Sequence, residues 1–119
     1  MANTANDLAR DVALELNIID AISDLDAASL ADLKRISKFK HAEWQRMPSH
    51  FVYWDYDDVP DEVMRPLTLV LAAESGKTFG KVVRDDGLDE AQTRRARLRA
   101  LKSVSSLRYT GQPVKAEYF

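Results

Sequence analysis

A chain of 119 residues with 45% hydrophobic and 30% charged residues is long enough to bury one modest core and is read as one domain. It has no cysteine, which excludes disulfides and thiolate metal sites, and no apolar run approaches membrane-spanning length. A net charge of −2 points to no partner by itself, while few glycines and prolines and no sustained alternation of β-branched with polar residues point to an all-α fold, a bundle of about four helices.

In chain order, the first seven residues, Met-Ala-Asn-Thr-Ala-Asn-Asp, have neither a basic nor an apolar region, so no signal peptide is expected. A first helix is expected from Thr4 or Asn6 to Leu16. Leu8, Val12 and Leu16 lie four apart, with Ala9 and Ala13 beside them, and Asn6 is a candidate cap. Asn17 tolerates the left-handed conformation that ends a helix, after which Ile18 and Ile19 fold back onto it. Residues 20–26 form a linker. Asp26 then caps a second helix running to Gln45 or Arg46, with a thin apolar stripe of Ala27, Leu30, Leu33, Ile36 or Ser37, and Trp44. Met47-Pro48-Ser49 stops it.

Residues 50–56 read His-Phe-Val-Tyr-Trp-Asp-Tyr. This aromatic loop, with a short strand or hairpin as its alternative form, either plugs the core or reaches a neighbouring subunit, since Tyr and Trp are favoured at interfaces. The central helix follows. Pro60 has the fixed φ of a first helical residue, and Asp61 and Glu62 place negative charge at the positive end of the dipole. Val63, Leu67, Val70, Leu71 and Ala73 line one face. Pro66 lacks an N–H and should bend the helix or weaken its first turn. Phe79 and Gly80 close it.

Asp85-Asp86-Gly87 is a turn, and Leu88 and Asp89 start a fourth helix. Ala91, Arg95, Leu98, Leu101 and Val104 or Ser105 mark its expected inner face, with Arg94, Arg97, Arg99 and Lys102 pointing elsewhere. The boundary of the bundle is placed at residue 106. Residues 107–119 contain Gly111 and Pro113 and read as an extended arm that docks on its own domain or on a partner.

Several patterns bear on chemistry. Ser75-Gly76-Lys77-Thr78 echoes the end of a phosphate-binding loop but lacks the preceding glycine and falls late in a helix. His41, Glu43 and His50 lack a metal-site spacing. The acids Asp55, Asp57, Asp58, Asp61 and Glu62 lack the glycine and final glutamate of a calcium loop. Nothing supports catalysis, a cofactor or a metal, and the chain is read as not an enzyme. Charge is more informative, because it comes in blocks. Residues 1–33 carry seven acids and one base, residues 34–50 five bases and one acid, residues 55–62 five acids, and residues 89–102 five bases and two acids. Such blocks suit self-association, acidic faces meeting basic ones, or are solvated helix faces. The basic residues of helices two and four could also meet nucleic-acid phosphates without reading sequence.

The order of these pieces resembles a known family. Leu-Asn-Ile-Ile-Asp (16–20) ends the first helix; Val-Pro-Asp-Glu-Val-Met-Arg-Pro-Leu (59–67) opens the central one; Phe79-Gly80 ends it; a basic helix and a terminal Pro-Val-Lys-Ala-Glu-Tyr-Phe follow. Over nearly its whole length the chain resembles the head-to-tail adaptor proteins of tailed bacteriophages, the tail-accessory or packaged-DNA-stabilisation family. The family pattern has Gly where Asn17 stands and small or Pro residues at 75–77.

The resemblance implies a structural virion protein of the neck, assembled in the bacterial cytoplasm. It would form a homo-oligomeric ring, typically of twelve copies, beneath the portal protein. The ring would extend the DNA channel, help retain packaged DNA and give the tail or nozzle protein a platform. Pro113, Val114, Lys115, Ala116, Glu117, Tyr118 and Phe119 would dock on the portal or a neighbour. Phe51, Tyr53, Trp54, Tyr56, Asp57, Asp58, Arg94 and Arg97 are the subunit-interface candidates. Lys38, Lys40, Arg99 and Lys102 are candidates for non-specific contact with packaged DNA. The competing expectation is a small helical DNA-binding regulator that uses the basic fourth helix.

Overall fold

A computed structural model describes residues 3–19, 26–46 and 52–109, with side chains to 105. The described residues form four α-helices: α1 (Ala5–Glu15), α2 (Ala27–Gln45), α3 (Asp61–Ser75) and α4 (Glu90–Tyr109). A 3₁₀ turn, Gly76–Phe79, extends α3. The described residues form no sheet. The possible strand or hairpin between α2 and α3 is instead a loop whose turn closes with Asp58 N–H donating to the Asp55 carbonyl, 3.1 Å. The fold is an all-α bundle.

Helix ends follow side-chain chemistry. Thr4, not Asn6, caps α1: its hydroxyl accepts from Asp7 N–H at 3.2 Å, and the Asp7 carboxylate accepts from Thr4 N–H at 3.0 Å. At the other end Asn17 has φ 60°. Ile18 N–H then reaches the Ala13 carbonyl (3.0 Å) and Asn17 N–H the Leu14 carbonyl (3.1 Å). That pair of bonds satisfies two orphan carbonyls and turns Ile18 and Ile19 back against the core. Asp26 caps α2 through Ser29 N–H, 3.1 Å, which holds its carboxyl below the usual range. Asp89 and Gln92 form a reciprocal box at α4, 2.7 and 2.9 Å. Pro60 is the residue before α3 rather than its first: its ψ of 148° is extended. Pro66 lies inside α3, which is helical without a break from Asp61 to Ser75; being the sixth residue, it removes only the bond to the Glu62 carbonyl.

α3 is the central element, touching α1, α2 and α4, whereas α4 touches only α3 among the helices. Val63, Leu67, Val70, Leu71 and Ala72 are buried on it, against Leu8, Val12 and Leu16 of α1, Leu33 and Trp44 of α2, Trp54 and Val59 of the loop, and Leu101 of α4. The inner face of α4 is the expected one at Leu98, Leu101 and Ser105 and differs at Thr93, Arg95 and Arg97. Thr93, Leu101 and Ser105 are fully buried and Arg97 nearly so, while Arg95 is exposed. The helix also continues through 107–109. Residues 110–119 lie outside the described residues.

Candidate interaction surfaces

The segment 55–61 joins the N-terminal ends of α1 and α3. Asn3 and Val59 exchange backbone hydrogen bonds of 2.8 Å each way, and Asn3 Nδ2 donates to Asp61 Oδ1 at 2.8 Å. Asp57 Oδ1 accepts from Ala5 N–H at 2.6 Å. One pole therefore gathers Asp7, Asp57, Asp58, Asp61 and Glu62, all exposed. Asp7 and Asp57 accept from the backbone N–H groups of Thr4 and Ala5 at the start of α1, and the cluster lies at two positive helix ends, which offsets its mutual repulsion. Asp11, one turn along α1, has its carboxyl pushed up by partial burial and by Asp7. Asp57 is thus a structural brace as well as a surface charge, and Asp58 remains an exposed candidate.

The aromatic loop divides. Trp54 is 5% exposed and belongs to the core, so as an interface candidate it is corrected: its ring is already spent on Tyr53, edge-on at 5.3 Å, and on His41. Tyr53 is half-buried, with its hydroxyl 3.3 Å from Glu62. Tyr56 is half-buried and donates to the Lys34 carbonyl on α2, 3.1 Å; burial, with Asp57 beside it, pushes its phenol up. His41 is a half-buried strut. Its Nε2 lies 2.8 Å from the Trp54 carbonyl, an acceptor, so that nitrogen carries the proton, and its ring meets Trp54 and Tyr56 edge-on. Phe51 and residues 113–119 lie outside the described residues.

The basic residues divide too. Arg97 is corrected from an interface to an interior residue. Its Nη1 donates to the Leu69 carbonyl (2.9 Å), and its Nη2 and Nε grip Asp85 (2.7 and 3.2 Å). This grip holds the Asp85 carboxyl below the usual range. Lys40, a DNA-contact candidate, sits 3.4 Å from both Glu43 and Glu74, tying α2 to α3. Lys102 is half-buried and already engaged. Lys38, Arg95 and Arg99 are exposed and Arg94 is half-exposed, and none of the four makes an ion pair among the described residues. Arg95 and Arg99 lie one turn apart on the outer face of α4.

Gly76 explains the Ser-Gly-Lys-Thr pattern. A Cβ there would stand 2.9 Å from both the Lys81 carbonyl oxygen and Val83 Cγ2, so the glycine serves close backbone packing at the end of α3. Among the described residues no three His, Cys, Asp or Glu side chains come together to hold a metal, and no helix is long and apolar enough to cross a membrane.

Periodicity missed two surface features. Phe39 of α2 and Val82 of the loop after the 3₁₀ turn are 65% and 71% exposed. A groove of about 440 Å³ runs along α2 beside Tyr56, lined by Ala27, Leu30 and Ala31 with Lys34, Arg35 and Lys38. Plotting α2 as a wheel could have found Phe39 and the groove, because the alanines of α2 and Phe39 fall opposite Leu33, Ser37 and Trp44. In comparisons with known proteins, the chain matches no protein family, no curated protein and no solved structure.

Proposed function

We propose that this protein is a structural assembly protein of a virion, a head-to-tail adaptor that docks as a ring, of twelve copies by the resemblance, beneath the portal. There it extends the DNA channel, helps retain the genome and offers the tail or nozzle protein its platform. The observation that carries this reading is the segregation of surface charge on an otherwise closed bundle. An acidic pole is braced at the joined starts of α1 and α3, and cations without an ion pair among the described residues stand on the outer faces of α2 and α4. Opposite patches on one rigid body favour docking of copies in a fixed register. The order of motifs along the chain supports the same reading.

The test is to mix the chain with the portal ring and look for a second ring beneath it. Deleting residues 113–119 should abolish docking while leaving helicity intact; docking that survives the deletion contradicts the arm's role. A second reading, a DNA-binding regulator, rests on Arg95 and Arg99, exposed and without an ion pair among the described residues. It predicts duplex binding in low salt that falls steeply as salt rises and is lost when both arginines become alanine.

A further inference from the structure

The core is shared unevenly among the helices. α1 and α3 each bury a full apolar stripe, whereas Leu101, with Leu98 partly buried beside it, is what α4 contributes among the described residues. The other fully buried side chains of α4, Thr93 and Ser105, are polar, and neither bonds to α3. Ser105 Oγ donates to the Leu101 carbonyl at 2.9 Å, and Thr93 Oγ1 accepts from Asp85 N–H at 2.9 Å. Asp85 is held to α4 again by Arg97 Nη2 and Nε, and Leu88 N–H returns to the Asp85 carbonyl at 3.1 Å. The chain from Asp85 onward is thus tied to α4. The chain just before it is tied to the end of α3: Lys81 N–H reaches the Gly76 carbonyl at 2.8 Å, and Val83 lies over Gly76. Between the two stands Arg84, exposed. Across the seam, Arg97 Nη1 donates to the Leu69 carbonyl.

We propose that residues 85–109 are a flap that leaves α3 as one cooperative unit, hinged at Arg84, while α1, α2 and α3 stay folded together. Separation gives up the burial of Leu101 and Leu98 and the bond to Leu69, and it leaves the hydroxyls of Thr93 and Ser105 with the partners they already have. α4 touches no other helix, so the contacts among α1, α2 and α3 survive its departure. Once lifted, α4 has little to keep it helical. Packing supplies most of a helix's stability in water, and Arg95 and Arg99 repel each other one turn apart. Opening uncovers the flank of α3 around the Leu69 carbonyl, a surface shut in the closed fold. The flap takes nothing from the adaptor reading.

Native-state hydrogen exchange of the full chain, followed amide by amide by NMR at rising urea, tests it. Amides 99–103 of α4 should exchange through one shared opening. Their protection should lie about a hundredfold below that of amides 68–72 of α3, with a shallower but non-zero dependence on urea. Val12→Ala weakens the core from α1, which does not touch α4. It should lower the protection of amides 68–72 by about tenfold and leave amides 99–103 unchanged, because the open state keeps the core that the variant weakens. Should Val12→Ala not fold, the urea slopes of the parent decide alone.

Equal protection and equal slopes in the two sets, or a fall in both on Val12→Ala, mean that α4 leaves only when the whole bundle unfolds, and overturn the proposal. Exchange in α4 that ignores urea and differs from one amide to the next is local fraying, and overturns it too. Failure of the portal to recruit the chain counts against the adaptor reading and leaves these measurements unchanged.

Discussion

Arg97 holds three parts of the molecule at one point. Its guanidinium reaches the Leu69 carbonyl of α3 and the Asp85 carboxylate of the connecting loop, while Asp85 N–H is tied to Thr93 of α4 at 2.9 Å. Arg97 is 13% exposed at its side chain and Asp85 44%. Water therefore screens the carboxylate end, and the larger share of the stabilisation comes from the sheltered bond to Leu69. Arg97→Met should lower stability by about 2 kcal/mol in urea unfolding.

The ion pair adds a pH signature. Asp85 titrates below its unfolded value, so its contribution is present above about pH 4 and is lost as pH falls through the lowered folded value. The gap between parent and Arg97→Met should narrow in acid; a gap that widens there would contradict the assignment. None of this is legible in sequence, because an arginine among arginines reads as solvated surface. Leu101 and Ser105, both expected inward, are buried, and Thr93 joins them with its hydroxyl accepting from Asp85 N–H, so hydrophobic periodicity misses Thr93 and Arg97 and places Arg95 inward in their stead.

Elements were legible where one side chain decides the backbone. Asn17, Asp26, Gly87 and Asp89 each act locally, and each stands at the turn or cap its chemistry suggests. The apolar face of α3 was legible because a helix with neighbours on several sides needs a broad stripe. The thin stripe of α2 was harder to read, since Trp44 is buried among residues brought from the loop by Tyr56 and His41, contacts with no sequence period. Gly76 is the sharpest case at this scale. Its φ is ordinary, −53°, so only tertiary proximity requires glycine. Gly76→Ala should cost about 1–3 kcal/mol as the Lys81 carbonyl or Val83 is displaced. Thermal melting checks it, and an unchanged midpoint would mean that the loop after the 3₁₀ turn yields freely.

At the scale of the molecule, α3 makes the bundle one body and the charge blocks of the sequence become places. Residues 55–62 join α1 to form the acidic pole. Residues 34–50 split between Lys40, consumed internally, and Lys38, left outside. Residues 89–102 split between Arg97 inside and Arg95 and Arg99 outside. Counting charge in the sequence located these blocks and could not divide them, because division depends on which helix faces α3. An assembly protein needs the exposed remainder, and the adaptor reading depends on it. Electron microscopy of the chain with the portal ring tests that reading most directly. The account predicts a closed ring of copies seated on the portal's tail-facing end with α2 and the acidic pole at subunit contacts. A bare portal beside free chains at saturating concentration would contradict it.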